Sequence, residues 1–263
     1  MPRVHVVADV HGNAEALARA GEGADALLVL GDLVDFVDYH DHSQGILGTL
    51  FGADNVAVFA RLRREGARQE MAAFAKTLWD SLADPASAVD EAVRKQYAAL
   101  FGGMAAPTYV IPGNVDVPRL MPEFSSAGIH LADGHVVTIG GWRFGFVGGS
   151  LLPPGGAIRS DAAWQPHMRT PAEFTGAVEA LDTVDVLCSH IPPAVPELVY
   201  DVVARGAELG SSALLERIRG DQPHWSLFGH VHQPLAARTR IDRTECRNVG
   251  HFKVTTQPYV LRW

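Results

Sequence analysis

The chain has 263 residues and a mass of 28.3 kDa, enough for one large domain with a full core. With 47% hydrophobic and 20% charged residues it has the composition of a soluble globular protein, and a net charge of −8 argues against a general nucleic-acid surface, which needs a basic stripe. Two cysteines give no disulfide framework, and no apolar run approaches the ~20 residues that span a bilayer, so a cytoplasmic chain with no membrane partner is expected.

In chain order, Arg3 to Ala8 reads as a first strand that turns at Asp9-Val10-His11-Gly12-Asn13 into a short helix, AEALARA. Asp9 and His11 lie so near the start that no signal peptide is expected ahead of them. Ala26 to Leu30 is a short apolar run stopped by Gly31-Asp32, the pattern of a strand buried on both faces. The loop after Asp35 carries Asp38, His40, Asp41 and His42, and reads either as a polar surface loop or as a site rim. Residues 36 to 106 read as a helical insert, a cap or an oligomerisation face within a single domain spanning 1–263, with Pro85 opening the last helix.

Thr108 to Pro112 is the next strand, ending in Gly113-Asn114-Val115-Asp116. Val136–Ile139 and Trp142–Val147 form a hairpin around Gly140-Gly141. A long loop after Ser150 holds Arg159, Trp164, His167 and Arg169, and loops of that length tend to be functional or mobile. Pro171 starts a helix, Val184 to Ser189 is a strand, and Glu197–Arg205 and Ser211–Arg219 are read as helices. His224 to Phe228 is a strand, and from Pro234 to Trp263 the chain reads as all strand, with Asn248-Val249-Gly250 as a turn. Cys188, inside an apolar run, is expected in the core.

Five apolar runs thus end in Asp, Asn or His, the ligand types for hard and borderline divalent metals. In order, Asp9-x-His11, Gly31-Asp32-x-x-Asp35, Gly113-Asn114-x-Asp116, His190 and Gly229-His230-x-His232 resemble the motifs of the calcineurin-like metallophosphoesterase superfamily. The resemblance implies a four-layer α/β/β/α sandwich with a helical insertion and a dinuclear site at one edge. It implies that Asp9, His11, Asp32 and His232 hold one metal, and Asp32, Asn114, His190 and His230 the other. Mixed imidazole, carboxylate and amide donors suit Mn, Fe, Zn or Ni.

Two carboxylates against two divalent ions leave the site net positive, which fits an anionic small-molecule or nucleotide phosphate ester although the chain is acidic. Ions roughly 3.5–4 Å apart activate a bridging water and clamp the phosphoryl oxygens, so the expected nucleophile is a metal-bridging hydroxide. Asp32, Asn114, Asp35 and His190 are the expected catalytic residues; His40, His42, Arg159, His167 and Arg169 are candidates for substrate binding.

One departure stands out. Most members carry His after the Gly-Asn pair, where this chain has Val115. In the family that His serves the leaving group and is oriented by the second Asp of Gly-Asp-x-x-Asp, so Asp35 loses its usual partner. His40 or His42 is placed to pair with it instead. Phosphodiesters or activated esters are favoured as substrates; the alternative is a degenerate member acting as a protein-interaction scaffold.

Overall fold

The apolar run before Gly31 forms a strand because its side chains find apolar cover on both faces: all four residues of Ala26–Val29 are buried. In the computed structural model, which describes residues 1–104, 107–158 and 162–263, the same solution recurs along the chain. The first half runs β1 (Arg3–Val7), α1 (Ala14–Ala20), β2 (Ala26–Val29), α2 (Gly45–Phe51), α3 (Ala53–Arg64), α4 (Arg68–Asp80), α5 (Pro85–Gly102), β3 (Thr108–Val110) and β4 (Ile129–Leu131). Then come β5 (Val136–Ile139), β6 (Trp142–Val147), the short β7 (Ser150–Leu151) and β8 (Met168–Arg169), α6 (Pro171–Glu179) and β9 (Val186–Ser189). The chain closes with α7 (Pro196–Val199), β10 (Tyr200–Asp201), β11 (Gly206–Ala207), α8 (Ser212–Asp221), β12 (Trp225–Phe228), β13 (Arg238–Ile241), β14 (Thr244–Asn248), α9 (Phe252–Thr255) and β15 (Tyr259–Arg262).

The described residues form two main sheets, ordered β15-β1-β2-β3-β4 and β13-β14-β12-β9-β6-β5. The first is parallel except for β15, and the second is parallel from β14 to β6 with antiparallel edges. Period-two alternation sorts the side chains. Val4, Val6, Leu28 and Ile111 of the first sheet share one cluster with Phe144, Phe146, Cys188 and Leu227 of the second. Val7, Leu27 and Val29 point the other way, onto Leu17 of α1 and Val93 and Tyr97 of α5. Val147, Leu187 and Phe228 pack on Phe174 of α6 and Leu214 and Ile218 of α8. The architecture is mixed α/β with parallel strands, and its clusters join helix to sheet, sheet to sheet and sheet to helix.

The helical stretch between β2 and β3 is graded. α5, with Asp84 capping through the Ser87 N–H, buries Val89, Val93, Tyr97, Leu100 and Phe101 against the core and so closes the crossover. α3 buries only Val56 and Ala60, and α4 buries none of its residues.

Two stretches differ from the sequence expectation. The helix expected over Glu197–Arg205 ends at Val199, because Asp201 Oδ1 accepts from the N–H groups of Val203 and Ala204, both at 2.8 Å, and folds a tight turn. The tail after Pro234 is not all strand: Gly250, at φ +99°, redirects the chain into α9. That one helical turn brings two residues to the site.

Candidate metal centre

The turns after β1 and β2 are stitched together: Asp9 N donates to Gly31 O at 3.0 Å, His11 N to Asp32 O at 2.9 Å and Gly12 N to Leu33 O at 2.7 Å. A methyl group on Gly31, at φ +92°, would run into the backbone of Gly113, so the third turn can approach only a glycine. Of the eight described non-glycine residues at positive φ, four are Asp9, His11, Asp32 and His230. Such conformations cost ~1–3 kcal/mol each and persist where the surrounding structure over-determines them.

Asp116 explains how they are held. Fully buried, it accepts from Leu33 N (3.1 Å), Val34 N (3.2 Å) and Gly113 N (2.8 Å), and from the Tyr97 hydroxyl at 3.2 Å. One carboxylate thereby locks the Asp32 turn to the Asn114 turn. Burial and the nearby Asp32 carboxylate push its pKa up to about 6, against the pull of those N–H donors.

The side chains converge from both sheets. Asp32 Oδ1 lies 3.5 Å from His190 Nε2, and its Oδ2 lies 3.9 Å from His11 Nε2. His190 Nε2 is also 3.1 Å from Asn114 Oδ1, and His232 Nε2 is 3.7 Å from Asp9 Oδ1 and 3.2 Å from His11 Nε2. Backbone oxygens set the tautomers: His190 Nδ1 is 2.8 Å from Leu30 O, and His11 Nδ1 is 3.2 Å from Val34 O. An oxygen that can only accept places the ring proton on Nδ1, so in the neutral rings both Nε2 atoms present lone pairs. At His190 that lone pair meets an amide oxygen and a carboxylate oxygen. Three such donors around one point match the needs of a divalent cation.

Among the described residues the donor atoms form three overlapping groups, each within 4.8 Å: Asp9–His11–Asp32, Asp32–His190–His230 and His11–His232–His251. Burial raises the Asp9 pKa, but the imidazoles of His232, His190 and His11 outweigh it and hold the carboxyl below its ordinary range. Burial and then His190 bring His230 down to about 4, which keeps this ring neutral and available as a ligand.

All seven residues expected to ligate metal therefore gather at one sheet edge. The other expected residues scatter. His40 lines the cavity of about 600 Å³ in front of the site, with Phe36, Arg63, Val115 and Trp164 among its other walls. His42 belongs to the turn behind it, half-buried. His167 N donates to Asn114 O at 2.8 Å, but its ring lies against Gly149 with a buried Nε2. Arg169 gives its guanidinium to Asp133 Oδ2 at 2.5 Å. Arg159 lies outside the described residues.

Asp35 does have a partner, which is Lys253 rather than His40 or His42. The ammonium lies 2.9 Å from Asp35 Oδ2 and 2.8 Å from Asp38 Oδ2. His40 instead gives its backbone N–H to Asp38 Oδ1 at 2.7 Å. Lys253 and His251 are the site residues that the sequence reading missed. His251 immediately precedes α9 and Lys253 lies within it, in a tail that no motif marks and that the sequence reads as strand.

The family model for calcineurin-like phosphoesterases matches residues 2–234, and the chain belongs to that family. Phosphoester hydrolysis is thus its class of chemistry, with divalent metals as the family's usual companions. Among solved structures, one that is 16% identical covers 96% of this chain and 92% of its own, with a TM-score of 0.59. The protein TT1561 of Thermus thermophilus is 12% identical, covering 99% of this chain and 98% of that one at a TM-score of 0.55. Such likeness speaks for the fold alone. No curated protein matches the chain. Among the described residues no helix is long and apolar enough to cross a membrane.

Proposed function

We propose that this chain hydrolyses phosphate esters, phosphodiesters or activated esters ahead of simple monoesters, with two divalent ions drawn from Mn, Fe, Zn and Ni. The observation that carries this reading is Asp32, whose two carboxylate oxygens face histidines on opposite sides, His190 at 3.5 Å and His11 at 3.9 Å. A carboxylate so placed is suited to bridge two ions.

Asp9, His11, Asp32 and His232 would hold one ion, and Asp32, Asn114, His190 and His230 the other. When bound, the pair supplies an activated water and charge to offset the phosphoryl oxygens. The protein's part is orientation. Leu30 O and Val34 O fix the His190 and His11 rings, the His230 N–H holds the Asp9 carboxylate at 2.9 Å, and Val115 N donates to Asp32 Oδ1 at 2.9 Å. The Val115 side chain offers a departing oxygen no proton, whereas general-acid help is worth ~10²–10⁴-fold. That favours leaving groups able to depart unprotonated.

The test is metal analysis of the purified protein with an assay on bis-p-nitrophenyl phosphate. Wild type should bind two ions per chain, and chelation should abolish turnover. Asp32→Ala should lose both ions and the activity; two ions and undiminished hydrolysis in that variant would refute the bridge. Val115 also favours a second reading, an inactive interaction scaffold, which predicts metal-free protein and no hydrolysis.

A further inference from the structure

His251 precedes α9 and belongs to none of the motifs that mark the site. Its Nε2 is buried and has no hydrogen-bond partner among the described residues. Its ring stacks on His232, centroids 3.9 Å apart and planes 17° apart, and meets the His11 ring edge-on at 5.6 Å. Donor nitrogens of His11, His232 and His251 lie within 4.8 Å of one another. We propose that His251 is an additional metal ligand, sharing with His11 and His232 the ion on that side of the centre.

The segment around it is built to hold that position. Asn248 Nδ2 donates to Gly229 O at 3.3 Å and Val231 O at 2.9 Å, gripping the turn that carries His230 and His232. Gly250 N returns to Asn248 Oδ1 at 2.9 Å. Phe252 N and Lys253 N donate to Ala8 O and Asp9 O, both at 3.0 Å, gripping the Asp9 turn. His251 is thus fixed between the Asp9 turn and the His230–His232 turn, with a ring nitrogen within 4.8 Å of those of His11 and His232. His5 and His167 also carry a buried Nε2 without a partner among the described residues; of the three, His251 is the one grouped with other possible ligands, and coordination accounts for its open nitrogen.

Such a donor set selects among ions. Three imidazoles with carboxylates suit the later first-row ions Fe, Ni and Zn, whereas Mg and Mn favour oxygen-rich sets. The His11 side should therefore prefer zinc-like ions. The opposite side, where Asn114 and Asp32 contribute oxygens, should discriminate less.

This rests on the metal-dependent reading above, and the test separates the two. Long-range ¹H–¹⁵N spectra of histidine side chains in the chelated full-length protein are followed through titration with zinc alone. With His251 bound, five histidines (His11, His190, His230, His232 and His251) move to metal-bound shifts. Four moving, with His251 unmoved, overturns the inference but leaves the reading intact. None moving overturns both. His251→Phe keeps a ring to stack on His232 and removes the nitrogen. It should weaken one zinc site at least tenfold, with the other site and the fold unchanged. Wild-type affinity at both sites would reduce His251 to a stacking support and refute the proposal.

Discussion

Val115 sets the chemistry at the residue scale. It packs against the same cluster as Phe36 and Trp164, so an apolar wall stands beside Asn114 where a proton donor would serve the leaving oxygen. Rates on a series of aryl phosphoesters should fall steeply as the leaving group's pKa rises. Val115→His should flatten that slope, helping poor leaving groups most. Because Lys253 already holds Asp35, the flattening should be larger in a double variant with Lys253→Met. A shallow wild-type slope would mean that another group delivers the proton. Lys253 also sets an acid-stability prediction. Burial pushes the Asp38 carboxyl up, but Lys253 and the N–H groups of Asp41 and His40 outweigh it and bring it down to about 2. A carboxyl lowered by folding stabilises the protein above its unfolded value, ~3.9, and that contribution disappears as pH falls through the folded one. Asp38→Asn should therefore lose less stability than wild type between about pH 4 and pH 2, by about 1 kcal/mol after solvent screening. Identical acid limbs in thermal melts would sink this.

At the scale of elements, the ligand turns depend on Asp116. Asp116→Ala would strand the N–H groups of Leu33, Val34 and Gly113, for which it is the acceptor, and the Tyr97 hydroxyl would lose one of its two partners. With each hydrogen bond to a charged group worth about 1.5–3 kcal/mol, the loss should be about 3 kcal/mol or more in urea denaturation. Metal affinity should fall with it, since Asp32 and Asn114 would no longer be locked together; a loss below about 1 kcal/mol would show that the turns hold without it. The convergence of these residues was legible in the sequence because each expected ligand lies at or just past the end of an apolar run, and a run stopped by Gly-Asp or Gly-Asn has few other readings. The sequence could not reveal Asp116 as a hub, because two of its partners, the N–H groups of Leu33 and Val34, lie more than 80 residues away in sequence. Nor could it reveal Lys253, whose contact with Asp35 spans 218 residues. FKVT in α9 has the β-branched look of a strand, and its helical turn is imposed by the hydrogen bonds of Phe252 and Lys253 to the Asp9 turn. Glu197–Arg205 misleads in the opposite direction: its composition is helical, but Asp201 finds better partners in a turn.

For the whole molecule, the consequence lies in where the proposed ligands originate. Asp9, His11, Asp32 and Asn114 follow strands of the first sheet, while His190, His230 and His232 follow strands of the second. Asp32 and Asn114 with His190, and Asp9 and His11 with His232, are among the pairs that cross from one to the other. Bound ions would tie the two sheets together at one edge, so metal should stabilise the entire fold and not a single loop. A ligand that binds only the folded state adds ~2.7 kcal/mol at a hundredfold excess over its dissociation constant. For a chain of this size each kcal/mol moves the melting temperature by roughly 2–4 °C, so saturation of one site should raise it by about 5–10 °C. The rise should grow with the logarithm of metal concentration, reverse on chelation and leave a single cooperative transition. Asp32→Ala, which removes the bridge, should melt at the same temperature with and without metal. Two separate transitions in the metal-loaded protein, or a full shift in Asp32→Ala, would mean that the ions do not couple the sheets through this carboxylate.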